Sequence, residues 1–522
     1  MGCWVFTSSY YPTFTQSSNG PKGSMNTGRQ KIVTLPAEKL QAETSHVDLP
    51  EYAAAIAYLY NRINFEKSQD QPYNQQNFRL SRMERLLVQI GNPQQSAPVI
   101  HIAGSKGKGS VAWLTAEVLR RSGYRTGLYT SPHLIKLEER FVIDGQPISQ
   151  ADLVRAVNAI APAVDEIATL GHGQATFFEI TTAVAWWLFR DANCNAMVIE
   201  VGLGGRLDST NVCWPTLSII TSISYDHQQQ LGNTLAEIAA EKAGIIKPGV
   251  PVICGVTHEE PQTVIHKIAK ERGCQIRQIE RDFTCVKSSA QNVDSNNTSQ
   301  RAHGTLIDYE AFHNRESHGT DRQQFRLRML GEHQVTNSGL VLATVDLLLE
   351  QGWKIPKLAV QQAFAETQLT GRIQIVHDSP LIILDTAHNE ASIAALCKAL
   401  KQHFGDRKIR FVFAASKDKK YPQMLRQIMD VATEIHLTQF EKNPRAVPYQ
   451  ELTSIAASFQ QETNPTPRKT TNDLFRCFHG YANPSEAVQG AIVNLQDDEL
   501  VCITGSFFLA AELIPILPTV FQ

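Results

Sequence analysis

The 522-residue chain has little excess charge, no closely spaced cysteine pair and no long apolar run. Its 49 Lys and Arg residues almost balance 51 Asp and Glu residues, and the net charge of -2 creates no basic field that would attract nucleic acid. No apolar stretch approaches the ~20 residues of a membrane helix, and the N-terminus lacks a basic segment followed by an apolar one. These absences argue against a nucleic-acid-binding, membrane-spanning or secreted protein.

Nine cysteines are scattered without a Cys-x-x-Cys pair or the spacing of a zinc site. This distribution is more typical of reduced thiols in a cytoplasmic protein than of a disulfide framework or a zinc site. The hydrophobic fraction of 42% is ordinary for a globular protein, and the length suffices for two or three domains. We expect a cytoplasmic location.

The chain divides into three regions by composition and pattern. Residues 1–48 are rich in Ser, Thr, Gly, Pro and Tyr without a sustained period, which predicts a disordered extension. Strand and helix patterns then alternate over 49–368, which predicts a mostly parallel sheet with helices on both faces. After an apparent linker at 353–370, a smaller α/β domain is expected over 369–522, with a ligand-binding cleft between the two domains.

Residues 286–324 interrupt the alternating pattern with Ser, Asn, Gln, His and Arg. The simplest interpretation is an inserted surface loop, and a binding element is the alternative.

A glycine-rich turn follows the apolar run Val99–Ala103, and it carries Gly104, Gly107, Lys108, Gly109 and Ser110. Glycines let backbone N–H groups converge on one anion, Lys108 adds a cation, and the Ser110 hydroxyl can reach a phosphate-bound Mg²⁺ ion. The turn departs from the Walker A pattern because Gly109 separates the lysine from the serine. Such a turn can also simply connect two elements without binding a ligand, but its position between a strand and a helix favours ATP binding.

Polar motifs follow three other strands, at Thr130–His133, Glu200–Asp208 and Ser224–His227. The carboxyl ends of parallel strands share one edge of a sheet with the phosphate loop, where a hydroxyl, a carboxylate and an imidazole could bind Mg²⁺. A single histidine is more often a hydrogen-bonded structural residue. Asp208 could hold a substrate or pair with Arg206.

These motifs, taken in order, resemble the folylpolyglutamate synthase and dihydrofolate synthase family, a branch of the Mur ligases. The series continues beyond the strand-end motifs with Glu241–Gly249, Gly331–Gln334, Asn337, Gly371–Arg372, Asp385–Asn389 and Thr504–Ser506. Similarity extends from about residue 50 to the C-terminus, outside the polar stretch 286–324. The resemblance implies an N-terminal P-loop Mur-ligase-type ATPase domain with a mostly parallel sheet, followed by a smaller C-terminal Rossmann-like domain.

The implied activity is ATP-dependent amide ligation in folate biosynthesis and one-carbon metabolism. ATP phosphorylates a carboxylate, and L-glutamate attacks the resulting acyl phosphate. The acceptor would be dihydropteroate, a folyl(poly)glutamate, or both in one bifunctional enzyme. We expect a monomer that uses ATP and two Mg²⁺ ions and has no nucleic-acid or membrane partner.

The resemblance also implies roles for individual residues. ATP would contact Gly104, Gly107, Lys108, Gly109, Ser110, Asn337, Arg372 and Asp385. Magnesium would be bound by Ser131, Glu200 and His227. The pterin side of the substrate would meet Arg82, Phe178, Glu179, Leu207, Asp208 and Ser209. The catalytic residues would be Lys108, Lys242 and His388, with Lys242 carbamylated so that it supports a second metal ion.

The chain departs from the family pattern at several positions. Ser105 and Lys106 replace the usual Thr-Asn, which predicts a second cation beside the phosphates. Thr386 and Glu390 replace Gly and Pro, and Gln374 replaces Glu, which affects the expected contacts of the C-terminal domain. Two other functions remain open: a Mur-type ligase acting on a cell-wall precursor, and a catalytically silent ATP-binding protein of the same fold.

Overall fold

The computed structural model describes residues 49–64, 80–289, 304–312, 321–405, 407–462 and 477–520. The predicted disordered extension at 1–48 lies outside these residues. Within them, no helix is both long and apolar enough to cross a membrane, and no disulfide joins any of the eight cysteines.

The N-terminal part contains eleven described strands and ten described helices. The strands are Val99–Ala103 (β1), Thr126–Tyr129 (β2), Phe141–Ile143 (β3), Gln146–Pro147 (β4), Ala196–Glu200 (β5), Leu217–Ile220 (β6), Val252–Cys254 (β7), Ile276–Gln278 (β8), Phe283–Lys287 (β9), Thr305–Ala311 (β10) and Asp321–Leu327 (β11). The helices are Leu49–Tyr60 (α1), Leu80–Gln89 (α2), Lys108–Arg121 (α3), Gln150–Ile167 (α4), Phe177–Asp191 (α5), Gln228–Leu231 (α6), Leu235–Ala243 (α7), Glu259–Glu271 (α8), Glu332–Glu350 (α9) and Lys357–Glu366 (α10). Short 3₁₀ turns occupy Pro93–Gln95, Leu137–Arg140 and Ser209–Val212.

Eight strands of this part form one sheet in the order β4-β3-β2-β5-β1-β6-β7-β8. The strands from β2 to β8 in this order are parallel, whereas β3 pairs antiparallel with β2 and β4 pairs antiparallel with β3. All five residues of β1 are buried because helices cover both faces: α3, α9 and α10 on one, and α1, α2, α4 and α5 on the other. The predicted mostly parallel sheet is confirmed, and it places the end of β1 at the centre of one edge.

The polar segment 286–324 is not a simple surface loop in its described part. Strands β9, β10 and β11 form an antiparallel sheet, and the inward side chains Ile307, Phe325 and Leu327 join the core around α3 and α9. The rest of the segment lies outside the described residues.

The apparent linker at 353–370 also differs from expectation. Helix α10 occupies most of it, and Phe364 is fully buried in the core of the N-terminal part. Leu369 belongs to the same core, so the connection between domains is only a few residues long.

The C-terminal part is a second α/β unit. Its strands are Gln374–Asp378 (β12), Leu381–Leu384 (β13), Lys408–Phe413 (β14), Glu434–Leu437 (β15), Cys477–Gly480 (β16) and Glu499–Thr504 (β17). Its helices are Glu390–Phe404 (α11), Tyr421–Met429 (α12), Tyr449–Glu462 (α13), Pro484–Ile492 (α14), Phe507–Leu513 (α15) and Leu517–Val520 (α16). The sheet has the order β12-β13-β17-β14-β15-β16, parallel except for β12, and separate apolar clusters pack on its two faces.

Candidate active site

The glycine-rich turn leads directly from β1 into α3, which begins at Lys108. Gly107 precedes the helix with a φ of +85°, and a Cβ on it would lie 2.4 Å from Oδ1 of Asn337. A side chain is therefore excluded there by both backbone conformation and space. The first turn of α3, which contains Lys108, Gly109 and Ser110, directs unpaired backbone N–H groups toward the cavity, as an anion site requires.

Two lysine side chains contact the backbone of this turn. Nζ of Lys108 and Nζ of Lys242 both donate to the carbonyl oxygen of Gly104, at 3.1 Å and 3.0 Å. Burial and the neighbouring charge of Lys108 lower the pKa of Lys242 to about 7. A substantial share of Lys242 is therefore a neutral amine at neutral pH.

The departure at Ser105 and Lys106 has a structural explanation. Nζ of Lys106 donates to Asp226 at 2.8 Å, so the additional cation is paired with a carboxylate instead of being left to face the phosphates alone. The hydroxyl of Ser105 donates to the carbonyl oxygen of Ser224 at 3.0 Å and accepts from its N–H group at 3.0 Å. These contacts tie the phosphate loop to the loop that follows β6.

The three predicted magnesium ligands line one cavity. Glu200 is buried at the end of β5, and its Oε2 accepts a hydrogen bond from the N–H group of Ser131 at 3.2 Å. A Cβ on Gly109 would lie 3.6 Å from the same oxygen, so the carboxylate faces the first turn of α3. Burial raises the pKa of Glu200 to about 6, although the charge of Lys108 opposes the shift.

His227 lies just before α6 with a φ of +52°, and its Nε2 is 3.8 Å from Oδ1 of Asp226. Burial lowers the pKa of His227, which keeps the imidazole neutral and able to bind a metal. A buried carboxylate, a serine hydroxyl and a neutral imidazole fit a divalent cation that also binds phosphate oxygens, although histidine is an uncommon ligand for Mg²⁺.

Helix α9 contacts the phosphate loop from the side. Gln334 donates to the Ser110 hydroxyl at 3.3 Å, and Asn337 donates to Gln334 at 3.0 Å. Gln334 was not among the predicted site residues, although it belongs to the Gly331–Gln334 motif. Its position one turn before Asn337 on the same helix was the available signal.

Asp385 fixes the backbone of the C-terminal side of the site. Its two carboxylate oxygens accept from the N–H groups of Ile373 and Ala387, each at 2.8 Å, and burial raises its pKa. Thr386, where the family has glycine, accepts from Arg372 at 3.0 Å and donates to the carbonyl oxygen of Gly371 at 3.0 Å. The substituted threonine thus orients Arg372.

His388 and Arg372 both contact the ring of Phe507, which sequence analysis did not identify. The His388 ring centre lies 5.0 Å from that of Phe507, and the guanidinium carbon of Arg372 lies 5.6 Å from it. Nδ1 of His388 is 2.9 Å from the carbonyl oxygen of Thr386, and burial lowers the pKa of His388. Phe507 directly follows the Thr504–Ser506 motif, which was the available signal.

The residues predicted to contact the pterin part of the substrate include a buried ion pair. Nε of Arg82 donates to both carboxylate oxygens of Glu179, at 3.0 Å and 2.9 Å, and Glu179 also accepts from the N–H group of Thr176 at 2.7 Å. Phe178 lies against Gly202, where a Cβ would be only 2.4 Å from Cζ of the ring. Arg82 therefore supports the position of Glu179, and the helix N-terminus brings Phe178 to the cavity wall.

The carboxylate of Asp208 accepts hydrogen bonds from the surrounding loop. It accepts from the N–H groups of Leu203 at 2.9 Å and Thr210 at 3.0 Å, and from the Thr210 hydroxyl at 2.5 Å. It does not pair with Arg206, which instead binds Glu241 at 2.8 Å. Both oxygens of Asp208 are thus occupied within the loop.

A cavity of about 1690 Å³ connects these groups and is lined by residues of both α/β parts. The predicted site residues on its wall are Gly107, Lys108, Gly109, Ser110, Ser131, Phe178, Glu179, Glu200, Leu207, Asp208, Ser209, His227, Asn337, Arg372, Asp385 and His388. The predicted residues that do not line it are Arg82, Gly104 and Lys242.

Two protein-family models match the chain on either side of this cavity. The Mur ligase middle domain matches residues 102–345, and the Mur ligase glutamate ligase domain matches residues 371–507. A dihydrofolate synthase/folylpolyglutamate synthase of Bacillus subtilis is 32% identical over 436 residues, which are 83% of this chain and 94% of that protein.

Two crystal structures are similar over most of the chain. Folylpolyglutamate synthase of Thermotoga maritima has a TM-score of 0.73 and 28% identity, with 90% of this chain and 97% of that chain covered. Folylpolyglutamate synthase of Mycobacterium tuberculosis, in complex with ADP, has a TM-score of 0.72 and 27% identity, with 90% and 98% covered.

Proposed function

Because this chain belongs to the folylpolyglutamate synthase and dihydrofolate synthase family of the Mur ligases, we propose that it is a bifunctional, ATP-dependent glutamate ligase. It adds L-glutamate to dihydropteroate and to folyl(poly)glutamates. The observation that carries this proposal is the shared cavity, in which the phosphate loop and Glu200 lie on one wall and Arg372 and His388 on the other.

The first chemical step transfers the γ-phosphoryl group of ATP to the acceptor carboxylate. The N–H groups at the start of α3 and the charge of Lys108 hold the phosphates, while Asn337, Arg372 and Asp385 bind or position the nucleotide from the other side. A carboxylate oxygen of the acceptor forms a bond to the γ-phosphorus as the bond to ADP breaks. The product is an acyl phosphate.

The second step consumes the acyl phosphate. The amino group of L-glutamate attacks the carbonyl carbon, the carbon–oxygen bond to phosphate breaks, and the nitrogen loses a proton. A cavity between two domains favours both steps because it holds the reactants together and limits water. His388, a half-buried imidazole on the C-terminal side whose pKa is lowered by desolvation, is placed to contact the incoming amine.

Magnesium would be held by Ser131, Glu200 and His227, and when bound it supplies neutralisation of the phosphate charge. The proposal includes carbamylation of Lys242, because a substantial share of its buried amine is neutral near pH 7. A neutral amine adds to carbon dioxide and releases one proton, and the resulting negative carbamate would support a second ion.

The acceptor is assigned to the side of the cavity formed by Phe178, Leu207 and Ser209. Arg82, Glu179 and Asp208 would shape this side, since each is committed to contacts within the protein. We assign ATP binding to residues 49–368 and glutamate ligation to 369–522, which the matches at 102–345 and 371–507 support. A monomeric, cytoplasmic enzyme is part of the proposal. Lining of the cavity by residues of one chain supports the monomer, and the scattered cysteines support the cytoplasmic location.

The test uses purified protein with MgATP and L-glutamate, and the acceptor is 7,8-dihydropteroate, tetrahydrofolate, a cell-wall precursor or none. Phosphate release and product mass are measured, and the Lys108→Ala variant is the control. Addition of glutamate to both acceptors is expected, and addition to one assigns the enzyme to that activity alone. ATP binding without product on either would contradict ligation of folates, and turnover of a cell-wall precursor would favour the other Mur-type function.

A further inference from the structure

Metal-ligating side chains converge at the edge of the C-terminal sheet, outside the cavity. Strands β15 and β16 pair in parallel, with Glu434 opposite Cys477 and His436 opposite His479. Because side chains alternate along a strand, these four residues project from the same face. None of the four lines the cavity of the candidate active site.

The separations of the ligand atoms of three of these residues, Glu434, Cys477 and His479, suit one metal ion. Oε1 of Glu434 is 3.0 Å from Nε2 of His479 and 3.3 Å from Nε2 of His436. Sγ of Cys477 is 3.5 Å from Nε2 of His479. In a tetrahedral zinc site, metal distances of about 2.0–2.3 Å place neighbouring ligand atoms about 3.3–3.6 Å apart. The 3.5 Å sulfur–nitrogen separation matches an edge of a zinc coordination tetrahedron, and the 3.0 Å oxygen–nitrogen separation of Glu434 and His479 is slightly shorter than an edge.

The buried imidazole of His436 lies beside these three residues. It is 1% exposed, its Nε2 is 3.3 Å from Oε1 of Glu434, and its Nδ1 is 3.2 Å from the hydroxyl of Tyr481. Its ring nitrogens do not lie within 4.8 Å of the ligand atoms of all three residues, so His436 is a neighbour of the site and not one of its ligands.

The local charges are compatible with a dication. Arg410 lies 3.5 Å from Oε2 of Glu434, but its guanidinium also pairs with Glu499 at 2.6 Å and donates to the carbonyl oxygen of Val493 at 2.8 Å. The carboxylate of Glu499 thus balances Arg410. A thiolate from Cys477 and the carboxylate of Glu434 would balance the two charges of the metal.

We propose that Glu434, Cys477 and His479, whose ligand atoms all lie within 4.8 Å of one another, bind Zn²⁺. A thiolate with an imidazole favours zinc over Mg²⁺ and Ca²⁺, which prefer oxygen ligands. The ion would join the edge strand β16 to β15 and thus act structurally. The sequence predicted no zinc site because Glu-x-His and Cys-x-His are far apart in the chain and meet only through strand pairing.

The experiment titrates the chelator-treated full-length protein with Co²⁺ and then with Zn²⁺. A thiolate-to-cobalt charge-transfer band at one equivalent per chain, displaced by Zn²⁺, is expected. Cys477→Ser should abolish the band and His479→Gln should weaken zinc affinity at least tenfold. Cys274→Ser, which changes a half-buried cysteine of the N-terminal part, should leave both unchanged.

A second measurement does not depend on the folding of any variant. Zn²⁺ should protect Cys477 of the wild-type protein from alkylation, as read by peptide mass. Absence of the cobalt band in the wild type, its persistence in Cys477→Ser, or unprotected alkylation of Cys477 would each overturn the proposal. Glu200→Gln should retain the band, because Glu200 lies in the candidate active site and is not one of the proposed zinc ligands.

Discussion

Replacing Gly107 with alanine tests whether the close approach of α9 forms the phosphate site. Gly107 has a φ of +85°, and the new Cβ would lie 2.4 Å from Oδ1 of Asn337. Gly123 provides a matched control, because it follows the same helix with a φ of +90° and has no atom within 4 Å of the corresponding position. Both substitutions strain the backbone, but only Gly107→Ala also displaces a neighbouring side chain, that of Asn337.

The magnitudes follow from the contacts that each change affects. The left-handed backbone costs an L-residue about 1–2 kcal/mol, which is the full effect expected for Gly123→Ala. At Gly107 the displaced Asn337 also loses its 3.0 Å hydrogen bond to Gln334. That bond contributes about 1 kcal/mol, so we expect Gly107→Ala to lose about 2–3 kcal/mol of unfolding free energy.

The assay pairs urea unfolding with calorimetric MgATP binding. Gly107→Ala should weaken MgATP binding at least tenfold, because Asn337 and the first turn of α3 must shift, whereas Gly123→Ala should bind normally. Wild-type affinity in Gly107→Ala, or equal binding losses in both variants, would refute the assigned geometry.

Three further changes probe other parts of the site. Lys108→Ala should abolish ligation with the fold intact, whereas Lys106→Ala should only reduce it, because Lys106 is paired with Asp226; equal rates in the two variants would contradict this. Lys242 has a folded pKa of about 7, against about 10.4 when unfolded. Its burial penalty is therefore complete below pH 7 and declines as pH rises toward 10, so in buffer free of carbon dioxide the wild type should gain stability over Lys242→Met across that range. A constant difference would exclude the lowered pKa. Arg82→Met should cost about 3–5 kcal/mol in urea unfolding because it leaves a buried carboxylate unpaired, and a double variant with Glu179→Met should recover part of that loss.

Much of the site could be predicted because parallel strands end at a common edge. The turn after β1 and the motif after β5 converge for that reason, and Glu200 faces the helix that starts at Lys108. The rule concerns backbone topology, so it needs no knowledge of side-chain partners.

The remaining features depend on contacts between distant segments. The pairing of Lys106 with Asp226 joins two loops, and composition alone does not reveal it. Strand β11 contains only two apolar residues, Phe325 and Leu327, so its composition resembles that of a loop. These two residues are nevertheless the ones that reach the core, because they lie on the same face of the strand. The contact of His388 with Phe507 likewise requires the fold of the C-terminal part.

The most direct test of the proposed reaction uses an acceptor labelled with ¹⁸O in its carboxylate. During turnover with MgATP and L-glutamate, formation and breakdown of an acyl phosphate transfers one labelled oxygen to the released phosphate. We expect one ¹⁸O atom in each phosphate and one in the new amide, as read by mass spectrometry. Unlabelled phosphate accompanying amide product would contradict an acyl-phosphate ligase.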